Sequence, residues 1–260
     1  MKRLIYQVYV GNRSRLYDHC IASVKNYCRL HGIGHVVQTD PILRIKPDVF
    51  ATNRSTESYM KHGGFLPIFE KENAFTYLTN YDQVGIIDAD IWIRPGSPNI
   101  FDSVPLEYDF GGVVERDMPI TDQYRQKIHN YSHMQYSNIK LDWKWNQSGG
   151  EFFNMGMMIC NKSIAKYLRG QTPKQFIERS EHKDFVDGIG NWKWSTDQTL
   201  LNTWVKKENM KIQPLTYKWN ALYSAIIPEM MKDAHFIHFF LKDKLPQRGE
   251  NVEQLMEMVK

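Results

Sequence analysis

The sequence predicts an α/β protein built around a mostly parallel central sheet. Three observations predict it. The chain opens as strand, helix, strand within its first 39 residues. Residues 84–93 form an apolar run with no polar face, interrupted only by two acids. Such a run fits a strand buried on both faces. Further apolar segments at 108–114, 151–160 and 234–240 alternate with helical stripes, the pattern of helices packed against a sheet. With 260 residues and 42% hydrophobic content, the chain suits one large domain with one substantial core.

Each element has its own signal. Residues 4–10 read as a first strand, and Gly11-Asn12-Arg13-Ser14 as a turn that starts a helix. Residues 15–30 carry apolar side chains at 16, 20, 21, 24, 27 and 28, a helical stripe that ends near His31-Gly32. Residues 35–39 are a second strand, so the opening implies parallel pairing through a right-handed crossover. Residues 41–64 are polar and show little periodicity. Loops that long in compact domains are usually functional or disordered. Residues 65–80 return to helical spacing, and 108–114 read as another strand. Residues 118–145 are aromatic, basic and poorly periodic. A strand at 151–160 leads into a helix beginning at Lys162, and 196–207 is a helix with Leu200, Leu201 and Trp204 on one face. The last strand covers 234–240.

Composition excludes several functions. The net charge of +4 is spread along the chain, a mild bias towards anionic ligands and not a nucleic-acid footprint. Basic stretches are interrupted by acids, which leaves peripheral contact as the most a membrane is expected to receive. No segment approaches the roughly 18 apolar residues of a membrane span. The short run after Met1 contains Gln7 and lacks the length of a signal peptide. Cys20, Cys28 and Cys160 are scattered and form no C-x-x-C pair. Free thiols in a reducing compartment are expected, hence a cytoplasmic location.

The sharpest chemical signal is Asp88-Ala89-Asp90 at the end of the apolar run. Side chains alternate along an extended chain, so both carboxylates are expected on one side. Open α/β sheets place ligands at that strand end. Two hard oxygen ligands there suit Mg²⁺ or Mn²⁺, and such an ion suits a diphosphate. The plain alternative is a solvated acidic turn.

Taken in order, the motifs resemble the nucleotide-sugar glycosyltransferases of the GT-A fold, most closely family 8. The likeness runs from Leu4 to about Lys244 and omits about 41–64 and 115–147. The opening strand and helix, with Ile21-Ala-Ser-Val24, look like the family's nucleotide-binding start, which assigns Val10 and Gly11 to the donor. Lys71 stands where the family carries a basic residue near the donor. Asp88-Ala89-Asp90 looks like its D-x-D motif. Phe153-Asn154-Met155-Gly156 looks like its N-x-G strand, and Asp197-Gln198 like its D-Q pair, followed by Leu201-Asn202. His238 and Lys244 keep the spacing of its H-x-x-G-x-x-K segment, but Leu241 replaces the glycine.

The resemblance implies a single domain over 1–260. Its nucleotide-sugar half spans about 1–114, and its acceptor half and C-terminal metal and phosphate segment about 115–245. It implies an enzyme that transfers a sugar, expected to be a hexose, from a UDP-sugar to a glycan or other hydroxyl acceptor with retention. Asp88, Asp90 and His238 would ligate Mn²⁺ or Mg²⁺. Lys71, Ala89, Gly156 and Lys244 would contact the donor, and Asp197, Gln198 and Asn154 would act at the donor sugar. The 41–64 loop is then expected near the donor, ordered by ligand.

Each assignment has a plainer reading in the residues alone. His238 lies in an apolar strand and competes with His235. Glu70-Lys71-Glu72 looks like a solvated helix face. Asn154 and Gly156 could mark a bulge. Asp197 could be a first-turn acid complementing its helix dipole. Trp143, Trp145, Trp192, Trp194 and Trp219 lie in polar segments, where aromatic faces suit sugar rings but also serve as core. The Trp143/Trp145 and Trp192/Trp194 repeats are expected to line one surface, where either pair could contact the acceptor. Two rival functions remain. A sugar-phosphate nucleotidyltransferase shares the sheet and the acids, but residues 10–14 are poor in the glycine its phosphate loop needs. A non-catalytic sugar-nucleotide or glycan-binding relative rests on Leu241 alone.

Overall fold

The computed structural model describes residues 1–259. Strand β1 (Arg3–Val8) leads into helix α1 (Arg15–His31) and returns as β2 (Gly34–Gln38). β1 and β2 pair in parallel, as the opening pattern requires. α1 stops where Gly32 takes φ 64° and its N–H closes on the Cys28 carbonyl, a left-handed position that favours glycine.

A one-turn helix α2 (Glu57–Met60) and a 3₁₀ stretch over Pro67–Thr79 precede β3 (Gln83–Ile87) and β4 (Ile91–Ile93). Then follow β5 (Phe110–Val114), α3 (Asp122–Tyr136), β6 (Phe153–Asn161), α4 (Pro173–Ile177), α5 (Lys183–Asp187) and α6 (Asp197–Lys207). The chain finishes with β7 (Ile212–Leu215), β8 (Ala221–Leu222), β9 (Phe236–His238) and α7 (Val252–Val259). The main sheet has the order β2-β1-β3-β6-β5-β7, and a small second sheet has the order β4-β9-β8. Pairings β1–β2, β1–β3 and β5–β7 are parallel, whereas β6 is antiparallel to both β3 and β5. Apolar layers cover both faces of the main sheet. One includes α1, β4, β9 and α7, and the other the 67–79 stretch, α4 and α6.

Three expectations change. The run 84–93 is two strands, not one. The chain leaves the main sheet after Ile87 and joins the small sheet at Ile91. Every residue of both pieces is buried, so the hydrophobic pattern shows no seam. The Glu70-Lys71-Glu72 segment is no solvated face. All three residues are buried, and Lys71 and Glu70 have built-in partners. Residues 118–145 contain the helix α3, capped by Thr121, whose hydroxyl accepts the Tyr124 N–H.

The long loop is tied down at several points. The Glu70 carboxylate accepts the backbone N–H groups of Ile42, Leu43 and Arg44 at 2.8, 3.0 and 2.7 Å. The Arg54 guanidinium donates to the carbonyls of Val186, Phe185 and Ser195. All three cysteines are buried free thiols. Among the described residues no helix is long and apolar enough to cross a membrane.

Candidate active site

Topology brings Asp90 and His238 together. β4 and β9 are antiparallel, with Ile91 opposite His238, and the Phe239 N–H donates to the Asp90 carbonyl at 2.9 Å. Asp88 is fixed by its own N–H, which donates to the Gly156 carbonyl at 2.8 Å. The Asp88-Ala89-Asp90 turn thus bridges two sheets. His238 Nε2 lies 3.2 Å from Asp90 Oδ1 and 3.7 Å from Asp88 Oδ2. One ligand atom from each residue lies within 4.8 Å of the others. His235, the competing histidine, packs its ring against Trp219 instead.

The imidazole is held from behind by a chain that ends at a backbone donor. The Gly156 N–H donates to Asn154 Oδ1 at 3.0 Å, which fixes that amide's orientation. Asn154 Oδ1 also accepts Asn220 Nδ2 at 2.8 Å. Asn220 therefore presents its oxygen to His238 Nδ1 at 3.1 Å. Nδ1 carries a proton for Asn220, and Nε2 faces the carboxylates, where it donates to Asp90 and would present a lone pair once an ion displaced that proton. Gly156 is glycine for a steric reason, since a Cβ there would stand 2.7 Å from His238 Nδ1. On the other side, Asn154 Nδ2 donates to Glu115 at 2.8 Å, and Tyr124 Oη donates to the other Glu115 oxygen at 2.8 Å.

Lys71 joins the acids. Its ammonium sits 2.8 Å from Asp88 Oδ1 and 2.8 Å from Asp197 Oδ2, and donates to the Met155 carbonyl. Burial opposes its charge, but Asp197 and Asp88 hold its pKa above the usual lysine range. Burial likewise works against charge on His238, and Asp90 overrides it, raising the imidazole's pKa. Burial pushes the Glu115 carboxyl up against its two donors. Thr196 caps α6 by accepting the Gln198 N–H, and Asp197 occupies the first turn, nearly fully buried. Gln198 accepts the Met155 N–H at 3.1 Å.

Two cavities flank this cluster. The first, about 500 Å³, is walled by Val8, Tyr9, Val10, Tyr17, Ser58, Lys61, His62, Lys71, Asp88, Ala89 and Asp90. The second, about 480 Å³, is walled by Glu115, Tyr124, Lys127, Tyr131, Asn154, Thr196, Gln198 and Leu241. The sequence-derived set therefore gathers here with two exceptions. Gly11 lines a separate recess beside Arg13 and His35. Lys244 is exposed and stands outside the lining of both cavities. Lys242 holds its ammonium 4.0 Å from the ring centre of Tyr17, which lines the first cavity.

The Trp143/Trp145 pair is divided between core and surface. Trp143 is 1% exposed and Trp145 40%. Trp143 packs its ring at a tilt against Tyr136 inside the core, and Trp145 stacks on His133. Trp192 is anchored through Nε1 to the Gln135 carbonyl. Glu115 and Asn220 escaped the sequence reading. Asn220 has no pattern around it. Glu115 directly follows the strand Phe110–Val114, the same strand-end position that singled out Asp88, and that signal could have found it.

The chain matches no family model and no curated protein. Solved structures do resemble it. The galactosyltransferase LgtC, in complex with donor and acceptor sugar analogues, superposes with a TM-score of 0.55 at 12% identity, over 98% of this chain and 95% of that one. A glycosyltransferase involved in glycosylation of the major capsid of PBCV-1 gives a TM-score of 0.50 at 13% identity, over 97% and 100%. At such identities the likeness is one of fold. The chain has the GT-A fold, in a form resembling the family 8 glycosyltransferases.

Proposed function

We propose that the protein is a metal-dependent glycosyltransferase that moves a sugar, a hexose, from a UDP-sugar to a hydroxyl acceptor with retention. One observation carries the reading. Asp88, Asp90 and His238 converge, the two acids on the wall of the first cavity, with Lys71 bridging Asp88 to Asp197. Two carboxylates and one imidazole form an O,O,N donor set suited to Mn²⁺ or Mg²⁺. A bound divalent ion would neutralise charge growing on the leaving diphosphate. The polar chain behind His238 is the support that metal-binding histidines require.

The chain's residues then divide the work. Val10, Ala89 and the β1 end hold the nucleotide side of the first cavity. Lys71 and Asp197 grip donor hydroxyls, and Asp197 offsets positive charge as the ring becomes oxocarbenium-like. Gln198 and Asn154 face the second cavity, which takes the acceptor. The bond from the anomeric carbon to the diphosphate oxygen breaks, and its electron pair stays on the diphosphate. The acceptor oxygen bonds the anomeric carbon on the same face, and its proton passes to the leaving phosphate. Gln198 is a poor nucleophile, which favours this path over a covalent intermediate. Lys244 is exposed, so its phosphate role requires the segment after Leu241 to fold over bound donor. We place the activity in the cytoplasm.

The test is a thermal-shift panel of nucleotides and nucleotide sugars, with and without Mn²⁺. A ligand at about 100 times its Kd adds about 2.7 kcal/mol of apparent stability. UDP and one UDP-sugar should stabilise the protein only with the metal. A panel in which no nucleotide responds to Mn²⁺ overturns the reading. A Mn²⁺-dependent donor-hydrolysis assay separates turnover from mere binding.

A further inference from the structure

We propose that Trp194 is a stacking shelf for a second sugar ring of a carbohydrate acceptor. The inference rests on the glycosyltransferase reading above and names the acceptor's class: a glycan of at least two residues.

Trp194 is 62% exposed. Single exposed apolar residues are ordinary, but this one borders a recess of about 260 Å³ that it shares with Arg54, Ser55 and Lys193. The recess shares Ser58, Pro67 and Ile68 with the first cavity and Thr196 with the second. Thr196 directly precedes Asp197, the residue behind the metal cluster. A ligand in the second cavity that extends past Thr196 enters the recess that Trp194 borders.

The shelf is rigid. Trp194 ends a 3₁₀ turn over Gly190–Trp194. Trp192 pins that turn with its Nε1–H on the Gln135 carbonyl at 2.9 Å and its ring edge-on to Phe185. The Ser195 N–H closes on the Trp192 carbonyl at 2.7 Å, and Arg54 donates to the Ser195 carbonyl at 2.9 Å. A surface fixed before binding costs little ordering when a ligand arrives. Lys193, itself exposed, holds its ammonium 5.2 Å from the Trp194 ring centre. A sugar ring can displace that weak contact and keep the ammonium as a hydroxyl partner. An aromatic face with hydrogen-bonding groups at its rim matches a pyranose, whose faces are C–H and whose edges are hydroxyl.

The experiment is saturation-transfer NMR on the full protein with UDP and Mn²⁺. The probes are cellobiose, maltose, lactose and chitobiose, beside glucose, galactose and N-acetylglucosamine. At least one disaccharide should receive saturation on both rings and bind more tightly than its monosaccharides. Trp194→Ala should weaken that disaccharide about tenfold and silence one ring. Trp194→Phe should restore most of the binding, and monosaccharide binding should not change. Donor hydrolysis without acceptor should be the same in all three proteins. Equal disaccharide affinity in Trp194→Ala, or no disaccharide binding at all, overturns the proposal. Disaccharide binding that depends on Trp194, in a protein with no donor hydrolysis, defeats the transferase reading and leaves the shelf standing.

Discussion

Asp197 separates binding from chemistry at the scale of one residue. Its carboxylate is buried against the Lys71 ammonium at 2.8 Å. Asp197→Asn keeps the shape and removes the charge. We expect kcat to fall about 100-fold, equivalent to about 2.7 kcal/mol, with UDP affinity nearly unchanged. Losing a charged hydrogen bond should also cost about 2 kcal/mol of stability. Turnover, UDP binding and urea unfolding on the one variant decide it: normal turnover with lost stability makes Asp197 a structural partner of Lys71. Leu241 is a second informative residue. It takes φ 58° and ψ 66°, left-handed backbone that costs a non-glycine residue about 1–2 kcal/mol. It stands at the position where the resembled family has glycine, the residue that adopts this backbone at least cost. Leu241→Gly should raise stability by up to about 1 kcal/mol, because glycine's extra unfolded-state freedom offsets part of the relief. Denaturant unfolding measures this, and a loss of stability would mean that Leu241's own contacts outweigh the strain.

Among elements, the join between the two sheets matters most. β4 and β9 are short, yet their register sets Asp90 beside His238. β8 runs parallel to β9, and Asn220 immediately precedes it. Asn220 is fully buried and touches His238 and Asn154. Asn220→Ala should weaken Mn²⁺ binding about 10–100-fold, read by titration calorimetry on the apo protein. Circular dichroism should still report a folded chain, since one unmet buried polar group costs about 1–3 kcal/mol. Unchanged metal affinity would remove Asn220 from the site. Helix α3 teaches a different lesson. Its buried positions include Ile128, Ser132, Gln135 and Tyr136. Gln135 accepts the Thr199 hydroxyl and donates to the Asn191 carbonyl, and Ser132 receives the Gly150 N–H. A face buried through polar partners leaves no apolar stripe, so periodicity missed it.

Across the whole molecule, acid should act partly through His182. This ring is 3% exposed, and Nδ1 donates to the Phe176 carbonyl at 2.9 Å. Burial pushes its pKa down to about 4. The unfolded chain takes up the proton near pH 6.5, whereas the folded chain resists until about pH 4. The sign is therefore a loss of stability as pH falls through that window, with no contribution above it. The loss is about 3 kcal/mol at most. His182→Gln should flatten unfolding free energy between pH 6.5 and 4, measured in urea, while the wild type declines. Parallel pH profiles for the two proteins would assign acid sensitivity elsewhere.

The sequence by itself determined what local pattern can encode. Apolar runs and helical spacing located α1, β2 and α6 to within a residue and β1 and β6 to within two, because these elements bury apolar side chains that leave a local trace. The Asp88-Ala89-Asp90 motif and the His238 spacing were also legible, because their order along the chain carried the resemblance. Tertiary structure decided what depends on partners far away. It split the run 84–93 between two sheets, since both halves are equally buried and only pairing with β6 or β9 distinguishes them. It buried Glu70-Lys71-Glu72, because backbone donors at 42–44 and the carboxylates of Asp88 and Asp197 wait for Glu70 and Lys71. It chose His238 over His235 and recruited Asn220 and Glu115 behind it. A charged or polar side chain carries no local mark of whether it will meet water or a partner; that is settled only when distant segments close around it.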